Sequence, residues 1–170
     1  MEVAGSVSLM LSIIALVSTT VLARRQNSLQ RSMNNAPALV DLLAQFRSAE
    51  IHESFDVVCR ELPSYDPARG LVGLPPETRY RVYDVCYFLQ QFACMIILNL
   101  IEERGFTALL RARTVAVWDA VYPFVEAERR LNPMTGPEFM AALEAFATKA
   151  RTVTPALGAK ILKDWLDRPM

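Results

Sequence analysis

The longest uncharged stretch of the chain comes first. From Val3 to Ala23, "VAGSVSLMLSIIALVSTTVLA" contains no Asp, Glu, Lys or Arg, and Arg24 and Arg25 close it. At roughly 1.5 Å per residue it covers about 31 Å, close to the thickness of a hydrocarbon core. Met1, Glu2 and Val3 supply no basic stretch ahead of it. The small-residue cleavage site of a secretion signal does not follow it either, so the pattern predicts an anchor that is retained. Arg24, Arg25 and Arg31 precede the first downstream acid, Asp41. An excess of basic residues marks the cytoplasmic side, and such arginines can touch anionic lipid. The expectation is a single-pass protein of the cell membrane with its N-terminus outside. Residues 1–23 are the transmembrane anchor, meeting the bilayer through 3–23; residues 24–36 are a juxtamembrane stem; residues 37–170 form a cytoplasmic helical domain.

Beyond the stem the apolar positions recur at helical spacing. Leu39, Leu42, Leu43, Phe46, Ile51, Phe55 and Val58 make one stripe, which predicts a helix from Pro37 to Leu62. "PSYDPARGLVGLPP", from Pro63 to Pro76, holds four prolines and two glycines and reads as a crossover loop. A third helix is expected from Pro76 to Gly105, with Glu77 near its start and Arg104 near its end, as the helix dipole favours. Its middle, Val85 to Ile101, is uncharged, but Gln90, Gln91 and Asn99 interrupt it and it is short for a span. A helix covered by neighbours on nearly every side explains it better. A fourth helix is expected over Thr107 to Leu131, with Leu110, Val117, Val121 and Val125 inward and Trp118 touching Tyr122 four residues on. Pro123 should kink or divide it. Pro137 is expected to open a further helix burying Phe139, Leu143 and Phe146, and Pro155 a last one ending near Asp167. No alternating strand pattern or repeat appears. The fold class is therefore all-α: the anchor, then a bundle of about four to five helices.

Composition narrows the function classes. Formal net charge is zero and the pI is near 6.6, so the overall field gives no reason to expect a nucleic-acid partner. Cys59, Cys86 and Cys94 are odd in number and form no CxxC pair. That suits a reducing compartment, with the thiols as small core residues.

Candidate chemistry is sparse. His52 is the one histidine of the chain and lies four residues before Asp56, too few ligands for a tetrahedral metal site or a ferritin-like centre. Neither a phosphate-binding glycine loop nor a nucleophile elbow is present, so no catalytic residue, metal or cofactor is assigned. In "ILNLIEERG", Asn99 with Glu102 and Glu103 at the end of an apolar helix predicts a buried polar contact. Its partner would be Arg111, Arg113, Arg129 or Arg130, fixing how the third and fourth helices pack. In the anchor, Ser8, Ser12, Ala15 and Thr19 put small side chains on one face, where another membrane helix could approach.

Three segments, "VYDVCYFLQQFACMIILNLIEERG", "VWDAVYPFVEAERRLN" and "FMAALEAFA", carry a family likeness. Through Asn99, Glu102, Trp118, Pro123 and Arg129 the chain resembles a group of uncharacterised bacterial membrane proteins classed as a domain of unknown function. The resemblance implies one N-terminal span and a cytoplasmic helical domain, and no known activity. Fifteen arginines against three lysines suit a GC-rich bacterial source. The functional expectation is a membrane-anchored interaction or accessory protein that binds a membrane or cytoplasmic protein, or a second copy of itself. The alternative is a membrane-bound small-ligand sensor or enzyme with a pocket near Asn99, Glu102 and Trp118.

Overall fold

A computed structural model describes residues 19, 37, 39–132 and 136–167. The chain divides into two units, residues 1–41 and 42–170. Among the described residues every regular element is helical and no strand occurs. None of the described helices is long and apolar enough to cross a membrane. The predicted anchor lies outside the described residues except for Thr19, which is helical and exposed.

The helix expected over Pro37 to Leu62 is interrupted. Arg47 and Ser48 leave the helical path, and the Ser48 hydroxyl accepts from the Ile51 amide at 3.2 Å to start α1, Ala49–Asp56. Serine competes for backbone donors in this way, which makes it a helix starter within an otherwise continuous apolar stripe. α1 buries Ile51, Ser54 and Phe55, then widens into a π-helical turn, Val57–Glu61, where the Leu62 amide reaches back to Val57. The proline-rich loop that follows is built from three short 3-10 turns, Leu62–Ser64, Pro67–Arg69 and Leu71–Gly73.

Pro76 opens α2, Pro76–Ile97, which stops eight residues before Gly105. Asn99 ends it by taking a left-handed conformation, φ 54°. The Asn99 amide donates to Ile96 and the Leu100 amide to Met95, at 2.9 and 2.8 Å, the paired bonds of a Schellman stop. Asparagine tolerates this conformation because its short amide side chain can bond locally. Three residues later Glu102 starts α3, Glu103–Leu131, its carboxylate accepting from the amides of Arg104 and Gly105. α3 begins earlier than expected and runs on through Pro123, whose ring faces solvent. α4, Ala141–Thr152, instead starts later than predicted, after Met140 at φ 59°. Thr154 caps α5, Pro155–Leu166, with Pro155 in its first turn.

α3 is the centre of the bundle and touches α4, α5, α2 and the turns before α2. A file of rings runs from half-buried Phe46 through the core at Phe88, Phe92 and Phe106 to exposed Trp165, with successive centroids 5.9, 5.3, 6.1 and 6.1 Å apart. Such spacings allow offset and edge contacts, each stabilising by about 0.5–1.5 kcal/mol beyond burial.

Candidate functional site

The predicted polar cluster is not assembled. Asn99 is exposed and serves as the stop of α2, while Glu102 is used in capping its own helix. Trp118 is buried 16 residues along α3 from Glu102, or roughly 24 Å at the usual rise, and packs on Tyr122 with centroids 5.8 Å apart. Arg129 lies further still. Its guanidinium donates to the Phe139 carbonyl at 2.7 and 3.0 Å and to Glu144 at 2.8 Å, tying α3 to the approach of α4. The expected arginine partner of Glu102 is thus corrected to two backbone amides, because a carboxylate three residues before Gly105 satisfies the free donors of a helix start. The small crevice at Glu102 is shared with Arg104, Ile161, Asp164 and Trp165, not with Asn99 or Trp118. Ser8, Ser12, Ala15, Arg24, Arg25 and Arg31 lie outside the described residues.

His52 and Arg113 do meet, 61 positions apart. The ring Nδ1 lies 2.8 Å from the Ser48 carbonyl and Nε2 lies 3.2 Å from the Arg113 guanidinium. With the guanidinium donating to Nε2, Nδ1 is the ring nitrogen that faces the carbonyl as donor. The guanidinium also sits 4.7 Å from the Phe46 ring and 5.2 Å from Phe55, with one of its terminal nitrogens buried without a partner. Two ring faces hold this cation where a carboxylate is the usual partner. Beside it opens a cavity of about 270 Å³ lined by Phe55, Asp56, Cys59, Ala112 and Ala116. Burial, then Asp56, pushes the Cys59 thiol up, while Arg113 and Arg60 oppose them.

Glu128 is the second long-range tie that local sequence patterns conceal. It is 4% exposed and accepts from the Leu71 amide at 3.1 Å, which pins the proline-rich loop to α3. Gly70 precedes that contact at φ 63°, and a Cβ there would stand 2.6 Å from the Glu128 carboxylate. Only glycine fits this approach. Burial raises the Tyr83 phenol, and Glu128 adds to that shift.

Two surfaces remain. Between the π-helical turn and the start of α2 lies an open groove of about 530 Å³, in which Arg81 contacts Glu77 and Glu53 and Arg60 contacts Asp56, at 3.4–3.8 Å. Exposed pairs of this kind hold little energy. Among the described residues no group of three or more His, Cys, Asp or Glu could hold a metal ion. The other surface is the outer face of α2, where Tyr80, Asp84, Tyr87, Gln91, Cys94 and Leu98 recur at intervals of four and three and are all exposed. Tyr87 stacks on the half-buried Tyr83, centroids 5.8 Å apart. The exposure of Cys94 corrects its expected place in the core; Cys86 is buried and Cys59 half-buried.

No protein-family model, curated protein or solved structure matches the chain.

Proposed function

We propose that this is a membrane-anchored helical interaction module that works by binding a protein partner through the outer face of α2. The observation that carries the reading is the tyrosine-rich stripe itself. Tyr80 and Tyr87 are 63% and 48% exposed, on a helix whose opposite face is buried in the core. Tyrosine offers large, rigid contact area with few rotors to freeze, and it is enriched where interfaces concentrate their energy. The seven-residue recurrence matches what an amphipathic partner helix reads. The anchor enters from the sequence: 21 uncharged residues followed by paired arginines. Recruitment to a membrane is the mechanism, with the bundle as a rigid platform.

Affinity capture of the full-length protein from its native membrane tests this, with the unaltered chain compared against a Tyr80→Ala/Tyr87→Ala double variant. A third version has residues 3–23 exchanged for an unrelated span. The reading expects one specific partner, kept after the span exchange and lost with the tyrosines. Retention by the double variant and loss on span exchange would move the interface to the small-residue face of the anchor.

A further inference from the structure

Where α2 enters the turn to α3, two large apolar side chains stand in the open. We propose that this tip, Ile97 and Leu98, seats shallowly in a lipid surface, making this end of the bundle a second membrane contact; the proposal rests on the membrane-anchored reading above.

Ile97 and Leu98 are 62% and 65% exposed. From Phe92 to Ile101 no residue is charged. An apolar tip alone would suit a protein or a bilayer equally, and the backbone favours the bilayer. The amides of Leu98, Asn99 and Leu100 all donate inside the turn, to Cys94, Ile96 and Met95. At the start of α3 the amides of Arg104 and Gly105 are taken by Glu102. The three amides paired at the tip can leave water without being stranded, as a lipid environment requires of backbone donors. Those same closed amides offer little to a protein that reads backbone hydrogen bonds.

The base of the tip has interfacial chemistry. Glu102 and Arg104 share a crevice with Trp165, whose ring packs on Phe106 and remains 37% exposed. Tryptophan and arginine are residues of the headgroup level, with an apolar body and a polar end. Leu166 beside it is 75% exposed. Asp164 lines the same crevice and sets the depth. A carboxylate there keeps α5 among the headgroups while Ile97 and Leu98 pass below them.

Depth-dependent quenching in the full-length protein, reconstituted in vesicles of mixed neutral and anionic phospholipid, tests the proposal. An environment-sensitive fluorescent amino acid replaces Leu98 in one version and Val72 in another. Val72 is equally exposed but lies next to the Leu71–Glu128 contact, 25 residues along α3 from Glu103, roughly 38 Å away. Flotation reports anchoring in both. The expected result is flotation, with quenching of about twofold or more at 98 by lipids labelled at shallow depth and almost none at 72. Flotation without quenching at 98, or with equal quenching at both sites, overturns the lipid seat and leaves the anchor standing. Failure to float removes the anchor reading and the proposal with it.

Discussion

The two long faces of α2 have opposite fates. Val82, Val85, Leu89, Phe92 and Ala93 are buried, and Tyr80, Tyr87, Cys94 and Leu98 are bare. Both sets recur at helical spacing, and the bare one also carries Asp84 and Gln91. Neighbours decide the difference: α3, α1 and α4 pack against one face, and the other is left uncovered. A helix of this kind is half core and half available surface, and its uncovered half is where a binding function is best placed.

Substitutions that should act on one face alone sharpen the contrast. The largest effect belongs to Phe92→Ala, which removes a ring from the middle of the aromatic file. Thermal or denaturant unfolding should show a loss of about 3–5 kcal/mol. A loss under about 1 kcal/mol would mean that the covered face is not the core.

Cysteine chemistry compares the faces directly. Burial pushes the Cys86 thiol up to about 12, whereas Cys94 is exposed. A raised value means that the neutral thiol is favoured, so at pH 8 the thiolate of Cys86 should be roughly a thousandfold scarcer than that of an ordinary thiol. The sign for stability follows. The unfolded chain ionises this thiol near the ordinary 9.0 and the folded one only near 12, so its contribution is intact below about 9 and falls as pH rises toward 12. Alkylation followed by mass analysis should modify Cys94 in the native protein and reach Cys86 only after unfolding. Equal labelling of the two would erase the distinction between the faces.

Smaller effects concern how α2 ends. Asn99→Val places a branched side chain at φ 54° and should cost about 1–3 kcal/mol, while Asn99→Gly should be neutral or mildly stabilising. A catalytic or ligand-contacting Asn99 would reverse that ranking in a functional assay. Smallest of all, Tyr87→Ala should change stability by about 0.5 kcal/mol, because it stands on the surface with its one ring contact on the half-buried Tyr83. Its effect should appear in binding.

Much of this fold was legible in the sequence. Pro76 and Pro155 start helices where expected, the inward positions of α3 are Leu110, Val117, Val121 and Val125 as read, and Trp118 meets Tyr122. Helix ends were harder to place. In "ILNLIEERG" a glycine after Arg104 resembles a terminus, yet the chain stops at Asn99 and restarts at Glu102. Local propensity gives two solutions, and the packing of Phe106 against Phe92 and Trp165 selects one. Ser48 concealed a break in the same way, since one hydroxyl in an apolar stripe predicts a helix interior as readily as a cap.

The candidate site was less legible because its contacts join residues distant in sequence. Arg113 with His52, and Glu128 with Leu71, are 61 and 57 positions apart. No local spacing encodes such pairs. A buried glutamate near the end of an amphipathic helix also looks like ordinary surface charge until the loop carrying Gly70 is laid against it. The tyrosine stripe was present in "TRYRVYDVCYF", and Tyr80, Tyr83 and Tyr87 already stood three and four apart. Their spacing was visible; their exposure was not.

The most direct test of the central claim is site-specific photocrosslinking in the full-length protein, in its native membrane, from position 87 on the bare face of α2 and from position 72 on the distant loop. The account predicts one discrete crosslinked protein from position 87, reduced by Tyr80→Ala, and none from position 72. Equal crosslinking from both sites, or none from 87 while the protein remains folded and membrane-bound, would contradict it.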